Sequence, residues 1–168
     1  FLRLAVVDRR TGRILANLPD YQFHFPYPPA RDWKNAESTL RQIAQRVKLL
    51  MELLDLSLDQ VGAISISSPG DLIERTAGPD PKQQAGFISL QNNLPFTGQN
   101  LISLLLEKLR SSRPVLLSND MTTAVLAEGL FGTAKGRKAA GYVTVSSGMN
   151  AAFYPVSGLP EDLMMWNT

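Results

Sequence analysis

The chain contains no cysteine and only one histidine among its 168 residues. The absence of cysteine excludes disulfides and thiolate metal sites, and it agrees with a cytoplasmic setting. No Asp or Glu stands at ligand spacing around His24, so we interpret it as a residue on the polar face of a strand. The sequence therefore predicts no zinc site.

The net charge is also low, and long apolar runs are absent. Seventeen Lys and Arg oppose fifteen Asp and Glu, which leaves a formal net charge of +2. The basic run at 135–138 is interpreted as a solvated loop, and no nucleic-acid partner is expected for this chain. No apolar run reaches the roughly 20 residues that cross a bilayer, and the N-terminus lacks the pattern of a signal peptide. We therefore expect no membrane partner.

Three stretches have the apolar spacing of amphipathic helices, and helices are predicted over residues 35–56, 98–110 and 121–131. Asn35 or Ser38 can cap the first helix, because either side chain can accept a hydrogen bond from the first turn. Apolar residues recur along this helix at intervals of three and four. They form one stripe: Leu40, Ile43, Ala44, Val47, Leu50, Met51 and Leu54.

Short apolar and β-branched segments predict strands at 61–67, 115–117, 141–145 and 151–156. Further strands are predicted at 1–8 and 13–17, which would form a hairpin, and at 21–27 and 73–75. Residues 76–86 are a predicted loop, and the tail at 161–168 has no predicted role. The alternation of strands and helices predicts an α/β fold with a mixed, mostly parallel sheet and flanking helices.

The rest of the chain is arranged around residues 114–131, PVLLSNDMTTAVLAEGLF. This stretch has the pattern of a short buried strand, a polar break at Ser118, Asn119 and Asp120, and an amphipathic helix. Open α/β sheets bind their ligands where a strand ends and a helix begins. Asp120 is therefore placed where a ligand is expected.

Two further polar breaks, at 68–70 and 92–93, also follow predicted strands. In a parallel sheet, such breaks can converge on one edge. An Asn amide donates and accepts hydrogen bonds, and an Asp carboxylate can take a proton, so the set suits the activation of a hydroxyl. The alternative is structural: Asn119 and Asp120 before a helix are ordinary capping residues, which is the commoner role of such residues.

The motifs, taken in order, resemble those of the ROK family (repressors, open reading frames and sugar kinases), whose members have the actin-like, ribonuclease-H-like ATPase fold. The closest match is RPVLLSNDMTTAVLAEGLFGTAKG, which resembles the family's P-V-x-x-x-N-D-A-N block. SISSPGDLIER resembles its G-x-P-G segment, and SLQNNLPF its A/S-x-N-L-x-x-W stretch. FLRLAVVDRRTGRIL resembles the hairpin after the first phosphate loop, and YVTVSSGMNAA falls at the second phosphate loop.

This resemblance implies an ATP-dependent kinase of a hexose or an amino sugar. Asp120 would be the general base that takes the proton from a sugar hydroxyl as it attacks the γ-phosphate. Asn93 and Asn119 would hydrogen-bond the sugar hydroxyls, and Pro69 and Gly70 would shape the sugar pocket.

The resemblance also implies a nucleotide site. Ser147 and Gly148 would approach the phosphates of ATP, which binds together with Mg²⁺. Glu128 matches a recurrent family Glu, for which a surface or packing role is equally open. The family's cysteine-rich zinc motif has no counterpart in this chain.

Several positions depart from the family's pattern. The first phosphate loop, D-x-G-G-T, would lie before Phe1. In the second loop only Gly148 remains, and Ala151 and Ala152 would keep phosphate away if the backbone there must have a positive φ. Ser67 replaces a Gly of the G-x-P-G segment, and Phe96 replaces the Trp.

Truncation at both ends is therefore expected. Residues 1–118 would form an N-terminal lobe lacking its first strand and phosphate loop, and 119–168 would begin the C-terminal lobe. The alternative to a kinase is a non-catalytic ROK-like sugar sensor or a fragment of a transcriptional regulator. A scaffold without chemistry is a third alternative, and an exposed sheet edge would favour a homodimer.

Overall fold

A computed structural model describes residues 4–15, 35–91, 94–145, 149–155 and 164–167. The helices are α1 (Ala36–Leu53), α2 (Leu101–Leu109) and α3 (Asp120–Leu130). The strands are β1 (Ile64–Ser68), β2 (Asp71–Leu72), β3 (Phe87–Leu90), β4 (Gln99–Asn100), β5 (Val115–Asn119), β6 (Ala139–Val145), β7 (Met149–Pro155) and β8 (Met164–Asn167). None of the described helices is long and apolar enough to cross a membrane.

The strands pair in three groups. β1 and β5 are parallel neighbours, in register from Ile64 beside Val115 to Ser68 beside Asn119. β2, β3 and β4 form an antiparallel group, and so do β6, β7 and β8. The predicted α/β fold, with parallel pairing and flanking helices, is confirmed.

The main core lies where α1 and α2 pack together over strands β1, β3 and β5. The predicted apolar stripe of α1 supplies part of it, and the cap is Asn35, whose Oδ1 accepts a hydrogen bond from the Ser38 N–H at 2.7 Å. Burying these side chains removes apolar area from water, which is the main stabilising term in folding. The buried members are Leu40, Ala44, Ile88, Phe96, Leu101, Leu105, Leu109 and Leu117.

An exposed ion pair links the two helices of this core. Lys108 Nζ of α2 lies 2.8 Å from Glu37 Oε1 at the start of α1. The hydrogen bond from Lys108 lowers the pKa of Glu37, and the same hydrogen bond raises the pKa of Lys108. Since the Glu37 side chain is largely exposed and the Lys108 side chain only partly buried, the pair adds little to stability.

A second, smaller core lies between α3 and the sheet of β6 and β7. Met121, Val125 and Ala152 are buried there, and Ala140 and Tyr142 pack against them. The strands alternate, so the opposite face of this sheet exposes Val143 and Val145 of β6 and Met149 and Phe153 of β7. α3 is thus held by β5 at its N-terminus and by β6 and β7 along its length.

The structure corrects some predicted strands. Residues 73–75 are not a strand, because β2 occupies 71–72 with an irregular register and the chain then bends. The tail is not without a role, since β8 pairs with β7 from Phe153–Met164 to Asn150–Asn167. The predicted first hairpin is reduced to a single bridge between Val7 and Ile14 within residues 4–15. The strand predicted at 21–27, with His24, lies outside the described residues.

The turn that follows β1 brings Gly70 against the end of β3. Gly70 has a φ of +108°, in the region that favours glycine. A Cβ added at Gly70 would lie 2.6 Å from the carbonyl oxygen of Leu90 and 3.3 Å from Cβ of Gln91. Glycine is therefore required here both by the backbone angle and by the close approach of β3.

Replacing Gly70 with alanine should destabilise the protein strongly. Backbone strain at positive φ costs about 1–3 kcal/mol, and the contact with the Leu90 carbonyl adds to this cost. Gly136→Ala is the matched control, because Gly136 has a φ of +76° and an added Cβ would meet nothing within 4 Å. Chemical denaturation measures both variants, and equal losses would show that the approach to Leu90 is unimportant.

Candidate functional site

The carboxyl ends of β1 and β5 lie side by side and form the centre of the candidate site. The parallel register pairs Ser68 with Asn119, the last residues of the two strands. The turn through Pro69 and Gly70 leaves one strand, and α3 leaves the other at Asp120. Open parallel sheets bind ligands at this position, between the carboxyl ends of neighbouring strands.

Asn119 joins the two segments through a buried side chain. Its Nδ2 donates a hydrogen bond to the carbonyl oxygen of Gly70 at 2.9 Å. Its Oδ1 accepts one from the backbone N–H of Met121 at 2.9 Å and so caps α3. Only 1% of the residue is exposed, so both ends of the amide serve the protein in this arrangement. Its contact with a sugar stays a prediction.

Asp120, by contrast, is exposed at the first position of α3. Its Oδ1 shares the Met121 N–H with Asn119 Oδ1, each at 2.9 Å, and this bifurcated hydrogen bond orients the carboxylate. The partial positive charge of a helix N-terminus favours an anion at this place. The side chain is therefore oriented by the helix and open to a ligand, as proton transfer requires, although its catalytic role stays a prediction.

Glu74 also belongs to the candidate site, although the sequence did not predict this. Its Oε1 accepts hydrogen bonds from the Ser118 hydroxyl at 2.9 Å and from the Asn119 N–H at 2.8 Å. It thus fixes the junction between β5 and α3 from a segment 45 residues earlier in the chain. No local spacing signals such a contact, and the predicted strand at 73–75 hid it.

Gln91 is a second missed residue, directly after β3. Its Nε2 donates hydrogen bonds to the Ser68 hydroxyl at 2.9 Å and to the Pro69 carbonyl at 2.7 Å. The residue is only 6% exposed. Because Gly70 is hydrogen-bonded to Asn119, the amides of Gln91 and Asn119 both hold the turn after β1, at Pro69 and at Gly70. The only sequence feature that could have indicated Gln91 is a polar residue at the end of an apolar segment.

The structure describes only some of the predicted site residues. The structure brings together Pro69, Gly70, Asn119 and Asp120. Asn93, Ser147 and Gly148 lie outside the described residues, and their predicted roles stay predictions. Glu128 accepts hydrogen bonds from the N–H and hydroxyl of Thr133, both at 3.0 Å, which agrees with a structural role at the end of α3.

The described residues around the second phosphate loop form regular strands. β6 ends at Val145 and β7 begins at Met149, and the two are paired. Ala151 and Ala152 lie inside β7, which pairs with β6 on one side and β8 on the other. The described non-glycine residues with positive φ are Asp55 and Arg110, so neither alanine has the conformation that a phosphate loop would need. Ala151 and Ala152 are therefore not expected to contact phosphate through their backbone.

Carboxylates are present in the site, but they are not grouped as metal ligands. The described residues contain no cluster of three or more His, Cys, Asp or Glu side chains that could hold a metal ion. Magnesium in nucleotide sites is usually held by one or two carboxylates together with phosphate oxygens. Asp120 fits that limited requirement, because it is an exposed carboxylate at the predicted site.

The fold resembles that of solved sugar kinases. A ROK family glucokinase from Streptomyces griseus, in complex with glucose and AMPPNP, matches with a TM-score of 0.61 and 22% identity over 89% of this chain and 39% of its own. A ROK hexokinase from Thermus thermophilus matches with a TM-score of 0.56 and 24% identity over 81% of this chain and 39% of its own.

More distant hexokinases share the fold as well. A hexokinase from Schistosoma mansoni in complex with glucose matches with a TM-score of 0.60 and 14% identity over 79% of this chain and 29% of its own. The chain thus spans well under two thirds of the length of these kinases. The actin-like ATPase fold that the sequence implied is confirmed, and the predicted division at residues 118–119, which falls within β5, stays a prediction.

No curated protein sequence matches the chain. A comparison with protein families, however, matches residues 30–155 to the ROK family. This range contains the segments of the sequence resemblance from residue 65 onward, including the turn at 68–70 and the start of α3. Because the match covers most of the 168 residues, the chain belongs to the ROK family.

Proposed function

We propose that the protein is an ATP-dependent sugar kinase whose acceptor is a hydroxyl of a hexose or an amino sugar. The observation that carries this proposal is the exposed carboxylate of Asp120, oriented at the carboxyl ends of β1 and β5. The kinase from Streptomyces griseus that shares the fold binds glucose and AMPPNP, which supports a hexose and ATP as substrates.

In this proposal, Asp120 acts on the proton of the sugar hydroxyl. The hydroxyl donates a hydrogen bond to the carboxylate and passes its proton to it as the oxygen becomes a nucleophile. ATP, with Mg²⁺, supplies the phosphoryl group that this oxygen receives. Because phosphoryl transfer depends mainly on positioning and charge stabilisation, the base must above all be fixed in place.

The hydrogen bonds on either side of Asp120 support its proposed role as such a base. The cap by Asn119 fixes the first turn of α3, and Glu74 holds the backbone N–H of Asn119. Pro69 and Gly70 would form the adjoining wall of the sugar pocket, and Asn119 holds Gly70 through its hydrogen bond to the carbonyl oxygen. A functional group supported by packed neighbours and hydrogen bonds keeps its geometry better than one on an isolated loop. The proposed sugar pocket is completed by Asn93, and Ser147 and Gly148 are proposed to approach the phosphates.

A second candidate function is a sugar-binding sensor or regulator that transfers no phosphate. The observation that favours it is the strand conformation of Ala151 and Ala152, which leaves only residues 146–148 between β6 and β7 for phosphate. A sensor of this kind would keep the sugar pocket and dispense with nucleotide. The two functions therefore differ in the response to ATP and not in the response to sugar.

Asp120→Asn should lower kcat for sugar phosphorylation by about 10²–10⁴-fold, since the amide cannot take the proton. Sugar binding should persist, because the amide still accepts a hydrogen bond from a hydroxyl. The matched control is Asp59→Asn, the same chemical change at an exposed residue whose Oδ1 lies 3.2 Å from Arg113 Nη2. The measurement is coupled turnover on a panel of hexoses and amino sugars, together with calorimetric binding of the best sugar.

Full turnover by the Asp120→Asn variant would refute Asp120 as the base. Absence of turnover by the unmodified full-length protein on the whole panel would refute the kinase. In that case, calorimetric binding of a panel sugar would favour the sensor.

Thermal unfolding separates the two candidate functions. A ligand at 100 times its Kd stabilises the folded state by about 2.7 kcal/mol. For a kinase, ATP with Mg²⁺ should raise the Tm of the full-length protein, and sugar should raise it as well. For a sensor, sugar alone should raise the Tm, and nucleotide should leave it unchanged.

A further inference from the structure

Gln91 lies between the end of β3 and the turn after β1, and the proposed function gives it no role. Its carboxamide links the end of β3 to the turn after β1, through Nε2 bonds to Ser68 and Pro69. Its Cβ lies against Gly70, where an added Cβ would approach it to 3.3 Å. Gln91 therefore fixes where β3 ends relative to Pro69 and Gly70.

The backbone of the same residue is tied to Thr97. The Gln91 N–H donates to Thr97 Oγ1 at 2.9 Å, and the Thr97 hydroxyl donates back to the Gln91 carbonyl at 3.1 Å. This reciprocal pair joins the residue after β3 to Thr97, whose neighbour Phe96 lies in the main core with only 1% of its surface exposed. The backbone of Gln91 is therefore fixed by one hydroxyl.

The side-chain oxygen of Gln91, Oε1, indicates that this residue does more than stabilise the fold. Oε1 is buried and has no hydrogen-bond partner within the part of the chain that the structure describes. A buried polar atom without a partner costs about 1–3 kcal/mol, whereas a methionine could fill similar space without that cost. Residues that depart from the rule that buried polar atoms are hydrogen-bonded are expected at functional sites. Since Oε1 is covered, its use is not direct contact with a ligand.

We propose that Gln91 and Thr97 are positioning residues of the sugar site. The Thr97 hydroxyl holds the backbone of Gln91, and the Gln91 amide holds the turn of Pro69 and Gly70 beside the end of β3. Because Asn119 binds the same turn at the Gly70 carbonyl, the carboxyl ends of β1, β3 and β5 are held in one geometry. The inference rests on the proposed function only in taking a hexose or amino sugar as the ligand.

The test compares sugar affinity in matched variants of the full-length protein by calorimetry. Thr97→Val keeps the shape and removes the hydroxyl, Thr97→Ser keeps the hydroxyl, and Gln91→Met fills the space without hydrogen bonds. These hydrogen bonds lie within the protein, so their loss lowers the Tm directly and weakens sugar binding only through the altered geometry of the site. We expect sugar affinity, measured well below the Tm of every variant, to fall about tenfold in Thr97→Val and Gln91→Met, with Thr97→Ser near the unmodified protein.

Thr133→Val is the remote control. It removes an exposed hydroxyl that donates to Glu128 at 3.0 Å, at the far end of α3, and should leave sugar affinity unchanged. If turnover is measurable, the KM for sugar should rise in Thr97→Val, and the KM for ATP should not.

Unchanged sugar affinity in both Thr97→Val and Gln91→Met would overturn the inference and leave the kinase proposal standing. Failure of the unmodified protein to phosphorylate any sugar would overturn the kinase, while the affinities still test the positioning role. No binding of any panel sugar would overturn both. A series of deoxy sugars adds one more criterion: a loss in Gln91→Met that vanishes for one analogue means direct contact and refutes a positioning role.

Discussion

The hydrogen bond from Asn119 Nδ2 to the Gly70 carbonyl is the interaction on which the site depends. It joins the turn after β1 to the start of α3, across 49 residues of chain and at 2.9 Å. The Asn119 side chain is buried and the bond is part-buried, so losing its donor would leave the Gly70 carbonyl without this partner where water has only limited access. The constraint is also geometric, because only glycine fits at residue 70 against β3.

The structural and functional interpretations of Asn119 and Asp120 are compatible. Asn119 is an ordinary helix cap, and its Oδ1 accepts the Met121 N–H as capping residues do. The cap orients the next residue, Asp120, whose carboxylate is exposed beside the same turn. A buried amide that fixes the backbone and an exposed carboxylate that is free to react are different parts of one arrangement. The commoner structural role is thus compatible with the proposed chemical one.

Local patterns predicted what depends on neighbours in sequence. The stripe of α1, the cap by Asn35 and the helix after Asp120 all follow from intervals of three or four residues. The roles of Glu74 and Gln91 could not be predicted, because their partners lie 45 and 22–23 residues away in the chain. β8 was missed for a related reason: its pairing with β7 is decided by the sheet it joins, and four residues carry little periodicity.

The sugar side and the phosphate side of the proposed site are built from different elements. Gln91, Gly70 and Asn119 connect β1, β3 and α3, and all of these contacts lie on the side of β1 and β5. The predicted phosphate contacts lie instead between β6 and β7, and these two strands pack on α3 through the separate core of Met121, Val125 and Ala152. The chain's departures from the family pattern at Ala151 and Ala152 therefore bear on the proposed nucleotide site and not on the proposed sugar pocket. For this reason, sugar affinity and nucleotide response can be tested independently of each other.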